Sequence, residues 1–81
     1  MTVKDLIKKK DYDYIEWRLT LPEEMGGDVF AGIAKSAGGL LVPLDGDTYD
    51  EDEKVLRYEE WTNEEKNIKS GLTVVIEGRW L

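Results

Sequence analysis

Two stretches of strict alternation constrain this chain more than anything else in it. Ile15, Trp17, Leu19 and Leu21 take turns with Tyr14, Glu16, Arg18 and Thr20, and Leu72, Val74, Ile76 and Trp80 do the same with Thr73, Val75, Glu77 and Arg79. A period of two puts the alternating apolar residues of such a run on one side of an extended backbone, with Val75 the apolar exception in the second run. Each stretch is therefore a half-buried strand, and the pair demands a sheet with one face hidden from water. What hides it must come from a chain of 81 residues, a size at which folding removes only about 63% of the extended-chain surface. That allows one core, and a single domain over 1–81.

The N-terminus supplies the natural cover. Thr2-Val3-Lys4-Asp5 has capping-box spacing, Val3, Leu6 and Ile7 make one apolar helical stripe, and Lys8, Lys9 and Lys10 fall in a last turn where cations complement the helix dipole. The pattern predicts an amphipathic helix over 3–10. A first strand from Tyr12 is broken by the Pro and Gly residues of 22–27, and 28–35 reads as a second strand whose Ala31, Gly32 and Ala34 let another element approach closely. Ser36–Gly39 reads as a hairpin turn, and Leu40–Leu44 as a strand that Pro43 pushes to an edge or a bulge. Asp45-Gly46-Asp47 marks the next turn.

Residues 48–61 fit two readings. A helix opened by Thr48-x-x-Glu51 would carry a poor apolar stripe, so a strand over 54–62 is preferred, with Val55, Arg57, Glu59 and Trp61 on one face and Leu56, Tyr58 and Glu60 on the other. Residues 63–71 read as a polar connection with Gly71 in a turn. The sum is an α+β fold in which one short N-terminal helix packs on a four- to five-stranded, mostly antiparallel sheet. The sheet face away from the helix is left to the Tyr, Glu and Arg residues of the strands.

Composition excludes several chemistries. Without Cys or His there are no disulfides, thiolate nucleophiles, imidazole bases or Cys/His zinc sites. No apolar run approaches the roughly 20 residues that span a bilayer, and the Lys-rich start lacks the apolar stretch of a signal peptide, so a cytoplasmic chain without membrane contact is expected. The loop from Asp45 fails as a calcium loop, since Tyr49 takes the fifth place, Asp50 the glycine place and Leu56 the place of the bidentate Glu. No metal or other cofactor is expected. Eighteen acids give chance carboxylate pairs, but there is no nucleophile motif or Gly-rich phosphate loop, and a chain this short has little room for a cleft. An enzyme is not expected.

The net charge of −7 is concentrated in about a quarter of the chain. Residues 45–65 hold ten acids (Asp45, Asp47, Asp50, Glu51, Asp52, Glu53, Glu59, Glu60, Glu64 and Glu65) against Lys54 and Arg57, while the rest holds eight acids and nine bases. Such a field repels nucleic acid and anionic lipid and steers basic partners inward. Tyr58 and Trp61 stand among these acids, and aromatics beside charge are a mark of protein interfaces. Side chains at i and i+2 of a strand lie about 6.6 Å apart on one face. Glu59 and Trp61, with the acids of 45–53 in an adjoining turn, are thus expected to form a rigid plate that fits a Lys/Arg groove built for phosphates.

The expected partner-binding set is Asp45, Asp47, Asp50, Glu51, Asp52, Glu53, Tyr58, Glu59, Glu60 and Trp61. The expected partner is a basic surface on a nucleic-acid-handling host protein, with no direct contact to nucleic acid. The alternative is an accessory domain whose acids serve only solubility and which forms a homodimer through the sheet edge at Leu40–Leu44.

The strings Thr2-Val3-Lys4-Asp5-Leu6-Ile7, Leu44-Asp45-Gly46-Asp47-Thr48-Tyr49, Tyr58-Glu59-Glu60-Trp61 and Gly71-Leu72-Thr73-Val74-Val75 together resemble small acidic proteins carried by phages and mobile elements of Firmicutes. The resemblance covers most of the chain but brings no activity and no functional residues with it. It implies a context in which small acidic proteins act on host proteins as inhibitors or adaptors, anti-restriction and anti-CRISPR proteins among them.

Overall fold

A computed structural model of the chain describes residues 1–46 and 49–78. Its elements run α1 (Val3–Ile7), β1 (Tyr14–Thr20), a single 3-10 turn (Glu23–Met25), β2 (Val29–Ala37), β3 (Leu40–Gly46), β4 (Arg57–Asn63) and β5 (Ile68–Glu77). The strands form one mixed sheet in the order β3-β2-β1-β5-β4. Only β1 and β5 run parallel; the other three pairings are antiparallel. The fold is α+β, but with a helix of five residues rather than the eight that the sequence suggested. Lys8, Lys9 and Lys10 are all exposed, so no apolar contact holds a further turn in place.

The alternation predicts the core well. Ile15, Trp17, Leu72, Val74 and Ile76 are buried together with Val3, Leu6 and Ile7 of α1, and Tyr12, Ala34 and Val55 complete the cluster. Trp80 and Arg79, the last members of the second alternating run, lie outside the described residues. Five residues of helix span about 7.5 Å, whereas five strands at about 4.8 Å spacing make a sheet about 19 Å wide. The helix cannot cover such a face alone.

The second piece of cover is the crossover from β3 to β4, which passes over the same face. Val55 is buried within it, and the Tyr49 ring lies 5.5 Å from that of Trp17. The two pieces grip each other through main chain. The Val3 and Lys4 N–H groups, without partners inside the helix, donate to the Glu53 and Glu51 carbonyls at 3.2 and 2.8 Å. The Thr2 N–H donates to the Asp5 carboxylate at 2.9 Å, in keeping with the capping-box spacing.

Several boundaries differ from the sequence reading. The strand expected over 54–62 is Arg57–Asn63; Val55 precedes it and turns into the core, because burying Val offers more than lining up with Arg57 and Glu59 on a wet face. The polar connection expected over 63–71 is shorter, since β5 already begins at Ile68 after a turn in which Asn67 adopts φ 55°. Gly71 is not a turn residue. It sits inside β5 opposite Trp61, where a Cβ would lie 2.5 Å from the indole ring. The turn expected over Ser36–Gly39 narrows to Gly38 and Gly39 at φ 61° and 78°, and Ser36 is buried in β2, its Oγ accepting the Tyr12 N–H at 2.9 Å.

Candidate functional site

The strand order separates the acids that the sequence holds together. β3 and β4 are the two edges of the sheet, about 19 Å apart, more than twice the Debye length of roughly 8 Å at physiological salt. Asp45, near the end of β3, and Glu59, on β4, therefore act as separate fields. Asp45 thus does not share one plate with Glu59 and Trp61. Asp47 lies outside the described residues.

Glu59 and Trp61 do share a face, as the two-residue spacing predicts. By register they stand opposite Thr73 and Gly71 on the face away from α1. Trp61 Nε1 donates to Thr73 Oγ1 at 2.9 Å, and the indole meets the Tyr14 ring edge-on at 5.5 Å. Burial, with the carboxylates of Glu16 and Asp45 in support, pushes the Tyr14 pKa up. Glu60 alternates to the other side. Its Oε1 accepts the Tyr12 hydroxyl at 2.6 Å and lies 3.1 Å from Lys10 Nζ, so this carboxylate is engaged within the molecule.

The open face carries a shallow concavity of about 470 Å³ lined by Glu16, Arg18, Asp28, Arg57, Glu59 and Thr73 among others. Its charges are largely matched. Arg18 Nε meets Glu16 at 2.7 Å, and Arg57 pairs with Asp28, which also accepts the Thr20 hydroxyl at 3.2 Å. Sequence reasoning missed this arrangement because Asp28 and Arg57 are brought together only by the sheet. With cations and anions neutralising one another, the face has no strong preference for either sign.

The acids of the crossover gather elsewhere. Asp50, Asp52 and Glu53 line a shallow depression of about 390 Å³ with Lys54, Leu56 and Glu77. Among the described residues four carboxylates and one ammonium line it, beside a leucine that is 49% exposed. The backbone explains the presentation: with the Glu51 and Glu53 carbonyls spent on the helix N-terminus, and the Asp52 N–H held by Asp50 Oδ1 at 3.0 Å, the segment is a fixed loop. Glu51 diverges from its neighbours to line a groove with Tyr49 and Leu40–Pro43. Glu77, at the end of β5, was not foreseen; only the sheet register carries it to this loop, through the Leu56 N–H bond to the Val75 carbonyl at 2.8 Å.

Of the predicted set, then, Asp50, Asp52 and Glu53 come together, Glu59 and Trp61 form a second group, Tyr58 lines the open-face concavity with Glu59, and Asp45, Glu51 and Glu60 are dispersed. Among the described residues no three carboxylates converge closely enough to hold a metal ion, and no helix is long and apolar enough to cross a membrane. No family model matches the chain, and neither a curated protein nor a solved structure matches it.

Proposed function

We propose that this chain is a non-enzymatic, cytoplasmic protein-binding module that sets carboxylates against a basic surface of a nucleic-acid-handling partner and so blocks or modulates it. The observation that carries the reading is the depression lined by Asp50, Asp52, Glu53 and Glu77 around exposed Leu56. A groove of Lys and Arg built for phosphates responds to the density and position of negative charge. The carboxylates would steer the encounter, and the apolar contact at Leu56 would slow dissociation.

The test is a set of charge reversals, Asp50→Lys, Asp52→Lys, Glu53→Lys and Glu77→Lys, in one chain that is first checked for folding by circular dichroism. A partner captured at low salt by the wild-type protein should be lost by this variant. Excess duplex or single-stranded DNA should displace the wild-type protein, and its association rate should fall as salt rises. A partner that DNA cannot displace and whose association rate ignores salt would end the proposal.

A further inference from the structure

The two edges of the sheet are built differently. Along β4 the chain reads Arg57-Tyr58-Glu59-Glu60, where charged side chains deter an incoming strand. Along β3 it reads Leu40-Leu41-Val42-Pro43-Leu44, with no charge before Asp45. Leu40, Val42 and Leu44 are 68%, 37% and 51% exposed. A shallow groove of about 470 Å³ runs beside them to Tyr49 and Glu51.

The Gly38–Gly39 turn fixes which main-chain groups look outward. In a two-residue hairpin the flanking residues, here Ala37 and Leu40, form a hydrogen-bonded pair, and bonded and non-bonded pairs then alternate. Leu40 and Val42 accordingly spend their N–H and C=O on β2, while Leu41 and Pro43 turn theirs away from the sheet. The edge offers the N–H and C=O of Leu41 and the C=O of Pro43; the proline nitrogen has no proton to give.

We propose that β3 accepts an extended, basic peptide segment of a partner as an added strand. Main-chain bonds to Leu41 and Pro43 would hold it, and alternate apolar side chains would rest on Leu40, Val42 and the groove. Asp45 at the end of β3 and Glu51 in the groove favour Lys or Arg in the flanking positions. The proposal rests on the reading that the partner is basic, and it specifies how part of that partner is held. A second copy of this chain suits the edge less well, because it brings a further net charge of −7 and its own Pro43. In antiparallel self-pairing with Leu41 opposite Pro43, both Leu41 carbonyls lack a donor.

The experiment pans a library of random linear peptides against the full chain alone and then measures the retained peptides against the electrically neutral variant Leu40→Gln/Val42→Thr. Both side chains are exposed, and circular dichroism verifies the variant's fold. The retained peptides should alternate apolar residues with Lys or Arg, bind this variant at least about tenfold more weakly, and slow hydrogen exchange at the Leu41 amide. Retained peptides without Lys or Arg, binding that ignores the variant, or a Leu41 amide left unprotected each overturn the proposal. So does a wild-type chain that sediments as a dimer and a variant that sediments as a monomer, since a second copy would then hold the edge. The fourfold charge reversal keeps the two readings apart. Peptide binding lost in that variant but indifferent to Leu40→Gln/Val42→Thr removes strand addition and leaves the acidic depression standing; the opposite pattern upholds strand addition, and the depression then falls only if the fourfold reversal also leaves capture of the whole partner unchanged.

Discussion

At the scale of single residues, Glu60 shows how a side chain expected to face a partner becomes a structural one. Hydrogen bonds from the Tyr12 hydroxyl and then from Lys10 hold its carboxyl below the usual value of 4.5. Tyr12 is pushed up in turn, by burial first and by Glu60 second, and Lys10 Nζ stands 5.1 Å from the centre of its ring. Because folding lowers the Glu60 pKa, its contribution to stability is fully present above the unfolded value and is lost as pH falls through the folded one. Tyr12→Phe should therefore move the Glu60 midpoint upward toward 4.5 and flatten the acid limb of the stability curve. Carboxyl chemical shifts through a pH titration read this directly, and an unmoved midpoint would assign the effect to Lys10 alone. Trp17 is the opposite case. Its ring is fully buried as the alternation requires, yet among the described residues Nε1 meets no hydrogen-bond partner; a buried donor left unpaired costs about 1–3 kcal/mol.

At the scale of elements, the β4–β5 hairpin depends on a glycine that has no Cβ to give way. The Trp61 ring lies across Gly71, bonded to Thr73 and stacked edge-on against Tyr14. Gly71→Ala would put a methyl group 2.5 Å from ring atoms, forcing the indole away from both contacts. The expected loss is about 1–3 kcal/mol, read as a lower urea midpoint with an unchanged slope. Combining the substitution with Trp61→Val should recover part of it, because the smaller side chain leaves room for the methyl. A Gly71→Ala chain as stable as the wild type would mean that the ring does not pack there. At Gly46 the demand is on backbone as well as space, with φ at 72° and a Cβ position 2.6 Å from the Ala31 carbonyl oxygen.

At the scale of the whole molecule, a net charge of −7 on a body with a radius of gyration of 12.4 Å opposes compaction. Among the described residues three ion pairs, Lys10–Glu60, Arg18–Glu16 and Arg57–Asp28, work the other way, but exposed pairs contribute about 0–1 kcal/mol each. Repulsion should win. The thermal midpoint is expected to rise as sodium chloride increases from about 0.01 to about 1 M, where the Debye length contracts from roughly 30 to 3 Å. Calorimetry across that range decides it, and a falling midpoint would show that the ion pairs dominate.

The amino-acid sequence by itself determined the two central strands, their buried faces, the helix start and the edge character of the Leu40–Leu44 segment. These follow from periods of two and of 3.6, from a capping spacing and from a proline without a donor, all local properties of backbone geometry. It also located the excess charge along the chain. Tertiary structure alone decided where that charge lies in space. The order β3-β2-β1-β5-β4 sends 45 and 59 to opposite edges and brings Glu77 to the crossover, and neither strand order nor pairing register is written in a period. The same applies to Gly71, which reads as a turn residue until β4 lays an indole across it, and to Val55, which leaves its predicted face because a short helix leaves the rest of the core to be covered.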